Sequence, residues 1–226
     1  MNWESTHGIQ ELTCNTDLLI VYGTKKLVQS YDLQSILPHD ELTYAARLKN
    51  KDQQETWLAC RATLRLVLAK HLSIHPQSII FQKGHFGKLY VADSNMFFNI
   101  SHTNDAFVLA LSTMSRVGID IEMLNGNEDL PSLIHYAFSE DEATYCNKGN
   151  LLQRFTEVWT LKEAFLKAVG IGLINKLTSI SGVGKSSNII NELKLNHKTF
   201  LCPQGETASL VYRNNQKLNF IILSRE

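Results

Sequence analysis

Three carboxylates and an amine form the most chemically specific pattern in this chain. Asp120 and Glu122 stand two residues apart in Val117-Gly118-Ile119-Asp120-Ile121-Glu122, and Glu163 and Lys167 stand four apart in Trp159-Thr160-Leu161-Lys162-Glu163-Ala164-Phe165-Leu166-Lys167. Alternate side chains of a strand share a face, so Asp120 and Glu122 project together while Ile119 and Ile121 enter a core on the other side. Residues four apart on a helix are neighbours, so Glu163 and Lys167 also share a face. If that helix packs beside the strand, three hard oxygen ligands converge with an ammonium, a set suited to a magnesium ion carrying a polyphosphate. Taken singly, the same residues read as the solvated face of an edge strand and a surface ion pair. Two features weigh against that plainer reading. One is Phe98-Asn99-Ile100-Ser101-His102-Thr103, which closes an apolar run with hydrogen-bonding side chains; the other is an internal repeat.

In the repeat, the stretch from Trp57 to Val67 lies over the stretch from Trp159 to Val169 without a gap. Trp57, Ala62, Leu64 and Val67 coincide with Trp159, Ala164, Leu166 and Val169, while charged residues meet at Arg61 and Glu163 and at Arg65 and Lys167. Two related helices that kept a packing face and diverged in chemistry give this pattern, and they sit about half the chain apart. Both tryptophans read as packing residues. Hydrophobic patterning predicts strands over residues 18–22, 78–81, 88–92, 96–100, 107–112 and 116–121, the last two joined by a tight turn at 113–115. Short helices are predicted over 131–146 with a start at 138–142, and strands over 178–181, 193–201, 208–212 and 218–224. Each half then pairs a helix with a small antiparallel sheet, an α+β pattern of two similar α/β lobes, residues 1–112 and 113–226, with the active site at their interface. Residues 125–129 and 181–187 read as loops. The second has Gly182 and Gly184 before Lys185 but lacks the G-x-x-x-x-G-K-[ST] spacing of a phosphate loop.

Composition narrows the class. The 226 residues are 44% hydrophobic and 19% charged, an ordinary globular balance. Basic and acidic residues number 22 each, which offers no global attraction for nucleic acid, so anion binding must come from local clusters. Cys14, Cys60, Cys146 and Cys202 form no metal-ligand spacing and read as free thiols of a reducing compartment. His71 and His75 share a helical spacing but lack further zinc ligands. The sequence presents no signal-peptide pattern and no stretch able to span a bilayer, so a cytoplasmic location is expected.

Taken in order, Gly87-Lys88, Phe98 to Thr103, Gly118 to Glu122, Trp159-x-x-Lys162-Glu163-Ala164-x-x-Lys167 and Gly170-Ile171-Gly172-Leu173 resemble the 4'-phosphopantetheinyl transferase superfamily. Length and the doubled helix resemble its Sfp-type branch, whose members are pseudo-dimers in one chain, so a monomer is implied. The resemblance implies transfer of the phosphopantetheine arm of coenzyme A to a serine of an apo acyl or peptidyl carrier protein, releasing 3',5'-ADP. Against that chemistry, Asp120, Glu122 and Glu163 hold Mg2+, Lys167 meets charge on the departing phosphate, and Ser101 and His102 bond the pyrophosphate. Glu163, or a water it holds, is the candidate base. Lys88 is a candidate adenine or phosphate contact, and Lys162 either contacts phosphate or pairs with a nearby acid on the helix surface. Where the family often has an arginine for the coenzyme 3'-phosphate, this chain has Thr56, leaving Arg47, Lys49, Lys51 and Arg61 as substitutes. Two rival readings keep the acids: another magnesium-dependent phosphoryl or nucleotidyl transferase, and a degenerate transferase fold serving as a binding scaffold.

Overall fold

The computed structural model describes residues 3–6, 9, 17–171, 177–181, 193–213 and 216–223. In chain order the elements are β1 (Glu4–Thr6), β2 (Leu18–Thr24), α1 (Leu33–Ile36), α2 (His39–Ala46), α3 (Lys51–Leu72), β3 (Phe81–Lys83), β4 (Leu89–Val91), β5 (Phe97–His102), β6 (Ala106–Ser112) and β7 (Gly118–Glu122). They continue with α4 (Leu130–Ala137), α5 (Glu140–Asn147), α6 (Leu151–Val169), β8 (Leu195–Leu201), β9 (Thr207–Arg213) and β10 (Leu218–Leu223). Two of the predicted loop and motif segments, Gly172-Leu173 and residues 182–187, lie outside the described residues, as does Cys14. Among the described residues no helix is long and apolar enough to cross a membrane.

Strand parity sorts the core into layers. On β2, Leu19 and Val21 face α3 with Phe107, Leu109 and Leu111 of β6. The alternate residues Leu18, Ile20 and Tyr22, with Ala106, Val108 and Ala110, face the other way and meet Ile119, Ile121, Ala208 and Leu210 of a second sheet. Beyond that sheet, Val211 packs against Phe165, Ala168 and other apolar residues of α6. The order is therefore helix α3, a five-stranded sheet β1-β10-β2-β6-β5, a three-stranded sheet β7-β9-β8, and helix α6. Mixed helix and sheet, the α+β class, is what the sequence patterning predicts.

Four details depart from the predicted layout. The first sheet is mixed and not antiparallel throughout: β10 runs parallel to both β1 and β2. Phe220 fills the inter-sheet core while Ile221 and Leu223 fill the α3 side, so this strand is buried on both faces and takes an internal position. A division at residue 112 consequently assigns to the second half a strand whose hydrogen bonds belong to the first sheet. Strands β6 and β7 are joined at residues 113–115, where Ser112 Oγ accepts from the backbone N–H groups of Met114 and Ser115, but they enter different sheets. Residues 76–78 and 177–179 form 3-10 turns next to or in place of the strands predicted at 78–81 and 178–181.

Those two turns share one physical cause. Arg65 of α3, paired with Glu41 of α2, donates to the carbonyls of Pro76 and Ile79 at 2.7 and 3.1 Å. Lys162 of α6, paired with Glu142 of α5 at 2.7 Å, donates to the carbonyls of Leu177 and Ile180. In each half a buried cation of the long helix takes two carbonyls that a strand ladder would otherwise use, and a glutamate of the preceding short helix balances it. Glu142 also closes the capping box of α5 with Ser139, at the helix start expected from the sequence.

Close approach of α6 to β7 is what positions the functional residues. Gly118 lies directly under the helix: a Cβ built there would fall 1.9 Å from the carbonyl oxygen of Ala164 and 2.4 Å from the amide nitrogen of Ala168. Gly118, Asp120 and Glu122 share strand parity, so the helix rests on the face that carries both acids. A buried hydroxyl chain ties the same helix to the middle of the sheet, Thr160 Oγ1 to Ser209 Oγ and Ser209 Oγ to Thr199 Oγ1, both at 2.8 Å. Because backbone and not a flexible side chain blocks the space, Gly118→Ala should cost about 1–3 kcal/mol or more in urea unfolding. An unchanged unfolding free energy would show that the helix is free to withdraw.

Candidate active site

Asp120 is the centre of the site, buried at 3% exposure between β5, β7 and α6. Its Oδ1 accepts from Lys167 Nζ at 2.6 Å and from Ser101 Oγ at 2.8 Å, and Lys167 Nζ also reaches Ser101 Oγ at 3.0 Å. Parity on β5 explains Ser101: Asn99 and Ser101 point toward β7, and Asn99 Oδ1 accepts the backbone N–H of Ile119 at 2.8 Å. Two side chains thus bridge the edges of the two sheets where a backbone ladder is absent. Lys167 arrives from the last turn of α6, which ends at Gly170 in the left-handed conformation with φ 78°. Glu163 lies one turn earlier. Glu122 follows Asp120 on the same face of β7, within hydrogen-bonding reach of Trp159.

Three acids face one ammonium, and the imbalance registers in their protonation. Burial and the charge of Asp120 push the Glu122 carboxyl up to about 7, with Glu163 adding to the rise and Lys167 and Trp159 opposing it. Burial, then Asp120, raises Glu163 as well, against the pull of Lys167. Asp120 Oδ2 is buried with no hydrogen-bond partner among the described residues. An orphaned carboxylate oxygen beside two acids that resist ionisation is the donor set a divalent cation satisfies, so these residues fit magnesium. Among the described residues, however, no three acidic, histidine or cysteine side chains are drawn together tightly enough to encircle an ion by themselves. The predicted trio consists of electrostatic neighbours and is not a closed cage, because Lys167 holds Asp120 Oδ1 and the carboxylates repel one another.

Two cavities flank the acids. One of about 390 Å³ is lined by Glu163, Lys167, Lys88 and Asn99 with apolar Phe86 and Leu166. Another of about 260 Å³ is polar and is lined by Glu122, His102, Gln53 and Asn104. His102 is exposed there, its Nδ1 next to the Thr103 carbonyl at 3.2 Å.

Several of the other predicted coenzyme contacts have partners within the protein. Lys162 is 2% exposed and locked onto Glu142, Leu177 and Ile180, which corrects both readings of it: its ammonium is turned away from any phosphate, and its acid partner is buried and comes from α5, not from the helix surface. Arg61 is turned inward as well, 3.1 Å from Glu41 and with its guanidinium 4.5 Å from the Phe81 ring centre. Lys88 lines both the cavity beside Glu163 and a neighbouring one, yet its ammonium donates to the carbonyls of Val117 and Lys167 at 2.8 and 2.5 Å. Arg47 and Lys49 are exposed at the junction of α2 and α3. Thr56, where the family arginine is expected, is fully buried and donates to the Asn104 carbonyl at 2.6 Å. Sequence reading left Asn99, Gly118 and Trp159 without a site role. Strand parity with Ser101 and Asp120 could have found the first two, and the one-turn spacing of Trp159 from Glu163 the third.

Residues 116–217 match the model of the 4'-phosphopantetheinyl transferase superfamily, a span that holds β7 and α6. The chain is similar to 4'-phosphopantetheinyl transferase HetI of a Nostoc species, 32% identical over 64% of this chain and 64% of that one. It is similar to 4'-phosphopantetheinyl transferase AcpT of Escherichia coli O157:H7, 30% identical over 63% of this chain and 71% of that one. Similarity to 4'-phosphopantetheinyl transferase gsp of Aneurinibacillus migulanus is 29% over 68% of this chain and 56% of that one. With the strand, the helix and the acids between them in the matched span, the chain belongs to the 4'-phosphopantetheinyl transferase superfamily.

Proposed function

We propose that this enzyme transfers the 4'-phosphopantetheine of coenzyme A to a serine of an apo acyl or peptidyl carrier protein, releasing 3',5'-ADP with magnesium as cofactor. The observation that carries the reading is Asp120: a buried carboxylate with one oxygen shared by Lys167 and Ser101, the other unpartnered, beside two acids that resist ionisation. Asp120, Glu122 and Glu163 would hold the ion, which supplies neutralisation of the pyrophosphate charge. The carrier serine oxygen attacks the phosphorus that bears pantetheine, and the bond from that phosphorus to the ADP phosphate oxygen breaks. The serine proton passes to Glu163 or to a water Glu163 holds, and the raised affinity of this carboxyl for a proton suits the task. Lys167 meets the negative charge that appears on the leaving phosphate. His102 and Ser101 orient the pyrophosphate, with His102 reaching it from the polar cavity.

The architecture is read here as a pseudo-dimer, two helix-and-sheet lobes with the site where they meet. The glutamate, cation and paired carbonyls that recur after α3 and α6 support a duplicated unit. One chain then supplies both halves of the site, consistent with a monomer. Cys60, Cys146 and Cys202 are free and buried, which suits the cytoplasm.

Incubation with coenzyme A, magnesium and a panel of apo carriers, followed by intact-mass measurement, should give a phosphopantetheine adduct on at least one carrier. No adduct on any carrier would favour a different magnesium-dependent transferase. Glu163→Gln should retain less than about a hundredth of the rate, since a placed base contributes roughly 10² to 10⁴; greater retention would remove the base role. Lys167→Ala should lower kcat far more than it changes the coenzyme KM, and the reverse split would make Lys167 a binding residue.

Glu122 makes the metal-free protein sensitive to pH. Its folded pKa, about 7, lies above its ordinary value of 4.5, so the native state keeps this proton after the unfolded chain has lost it. The associated stability is full below about 4.5 and is lost as pH rises through about 7. Urea midpoints measured in chelator across that range should fall for the wild type and fall less steeply for Glu122→Gln, in which Glu163 keeps its own rise. Parallel curves would show that Glu122 does not carry the titration.

A further inference from the structure

We propose that Lys88 is a positioning residue for Lys167: its side chain clamps the last turn of α6 to the start of β7, fixing the amine that meets Asp120, and does not bind coenzyme. The proposal deepens the functional reading above and rests on it. At the end of α6 the backbone N–H groups of Gly170 and Ile171 both turn to the Leu166 carbonyl, at 2.8 and 3.4 Å. The carbonyl of Lys167 is then one of the helix-end acceptors that must find a partner outside the helix. Lys88, delivered by the β3–β4 hairpin, takes it at 2.5 Å and takes the Val117 carbonyl at 2.8 Å with the same ammonium. Arg116 covers a neighbouring acceptor, the Val169 carbonyl, at 3.4 Å.

The two Lys88 bonds close a ring. From Val117 the chain runs along β7 to Asp120, whose carboxylate holds Lys167 Nζ at 2.6 Å, and the backbone of Lys167 returns to Lys88. Both bonds are charge-assisted, and the cation lies at the negative end of the α6 dipole. Lys167 stands in the last turn, the part of a helix that frays first when its carbonyls lose their partners. Burial, with the positive charges of Arg116 and Lys167, lowers the Lys88 pKa to about 8, as befits an ammonium withdrawn from solvent. An ammonium has three protons to donate, and two are spent on backbone. Hairpin residues Phe86 and Lys88 line the same cavity as Glu163 and Lys167, so the clamp lies beside the reacting groups without being one of them.

The test compares wild type, Lys88→Met and Lys88→Arg in steady-state transfer from coenzyme A to an apo carrier and in amide hydrogen exchange of residues 164–171 without substrate. Lys88→Met should lower kcat about tenfold or more with the coenzyme KM within about twofold, the pattern of a lost transition-state contact. The Gly170 and Ile171 amides should exchange about tenfold faster, a local opening. Lys88→Arg, whose fork can span two carbonyls, should restore most of both. A raised KM with kcat kept would make Lys88 a coenzyme ligand and overturn the proposal, as would unchanged exchange in Lys88→Met. Fast exchange at every amide of Lys88→Met would also overturn it, in favour of a general structural role. If wild type modifies no carrier, the functional reading fails, and exchange decides the clamp alone: faster at Gly170 and Ile171 supports it, unchanged refutes it.

Discussion

One contact governs the rest: the backbone of α6 lies on Gly118, with no side chain between helix and strand. Strand parity then puts Asp120 and Glu122 under the helix, and helix periodicity puts Trp159, Glu163 and Lys167 over them. A carboxylate as buried as Asp120 requires partners, because an isolated charge in a low-dielectric interior is expensive. Lys167 and Ser101 supply them on one oxygen only. The other oxygen has no partner, and burial and neighbouring charge make Glu122 and Glu163 harder to ionise, which leaves the site short of positive charge. On the proposed reading a divalent cation and its phosphate ligands would make up that deficit.

The two anchors that follow α3 and α6 explain how the helices are held firmly enough to maintain such a contact. Each buries a cation with a glutamate partner and spends the remaining donors on backbone carbonyls. Buried pairs of this kind contribute little net stability, but loss of one partner costs about 3–5 kcal/mol, so they fix geometry more than they add strength. On α6 the anchor is Lys162, the immediate neighbour of Glu163. The residue that fixes the rotation of the helix is therefore adjacent in sequence to one that works in the site.

Much of this was legible in the sequence, and the exceptions have common causes. Parity and periodicity made the Asp120, Glu122, Glu163 and Lys167 faces readable, along with α6, the capping box at Ser139 and most strands. The ion pairs of Lys162 and Arg61 are not legible because a cation on a helix gives no local sign of which glutamate will pair with it; Glu142 and Glu41 come from separate helices. The strands expected at 78–81 and 178–181 give way to the turn ending at Ser78 and the turn at 177–179 because the carbonyls that Arg65 and Lys162 capture are indistinguishable, in sequence, from those of a ladder. Strand β10 was assigned by chain order to the second half, whereas its run Phe220-Ile221-Ile222-Leu223 already had the two-faced apolar character of an internal strand. Gly118 was visible as a residue but not as a contact, since close approach is a property of two elements.

The most direct test of the account is anomalous diffraction from crystals grown with manganese and coenzyme A. The account predicts one manganese peak in coordination contact with Asp120 Oδ2, with Glu122 and Glu163 among its ligands and pyrophosphate oxygens on its open side. A manganese ion bound elsewhere on the chain, or a Glu163 turned away from Asp120 with coenzyme A in place, would contradict it.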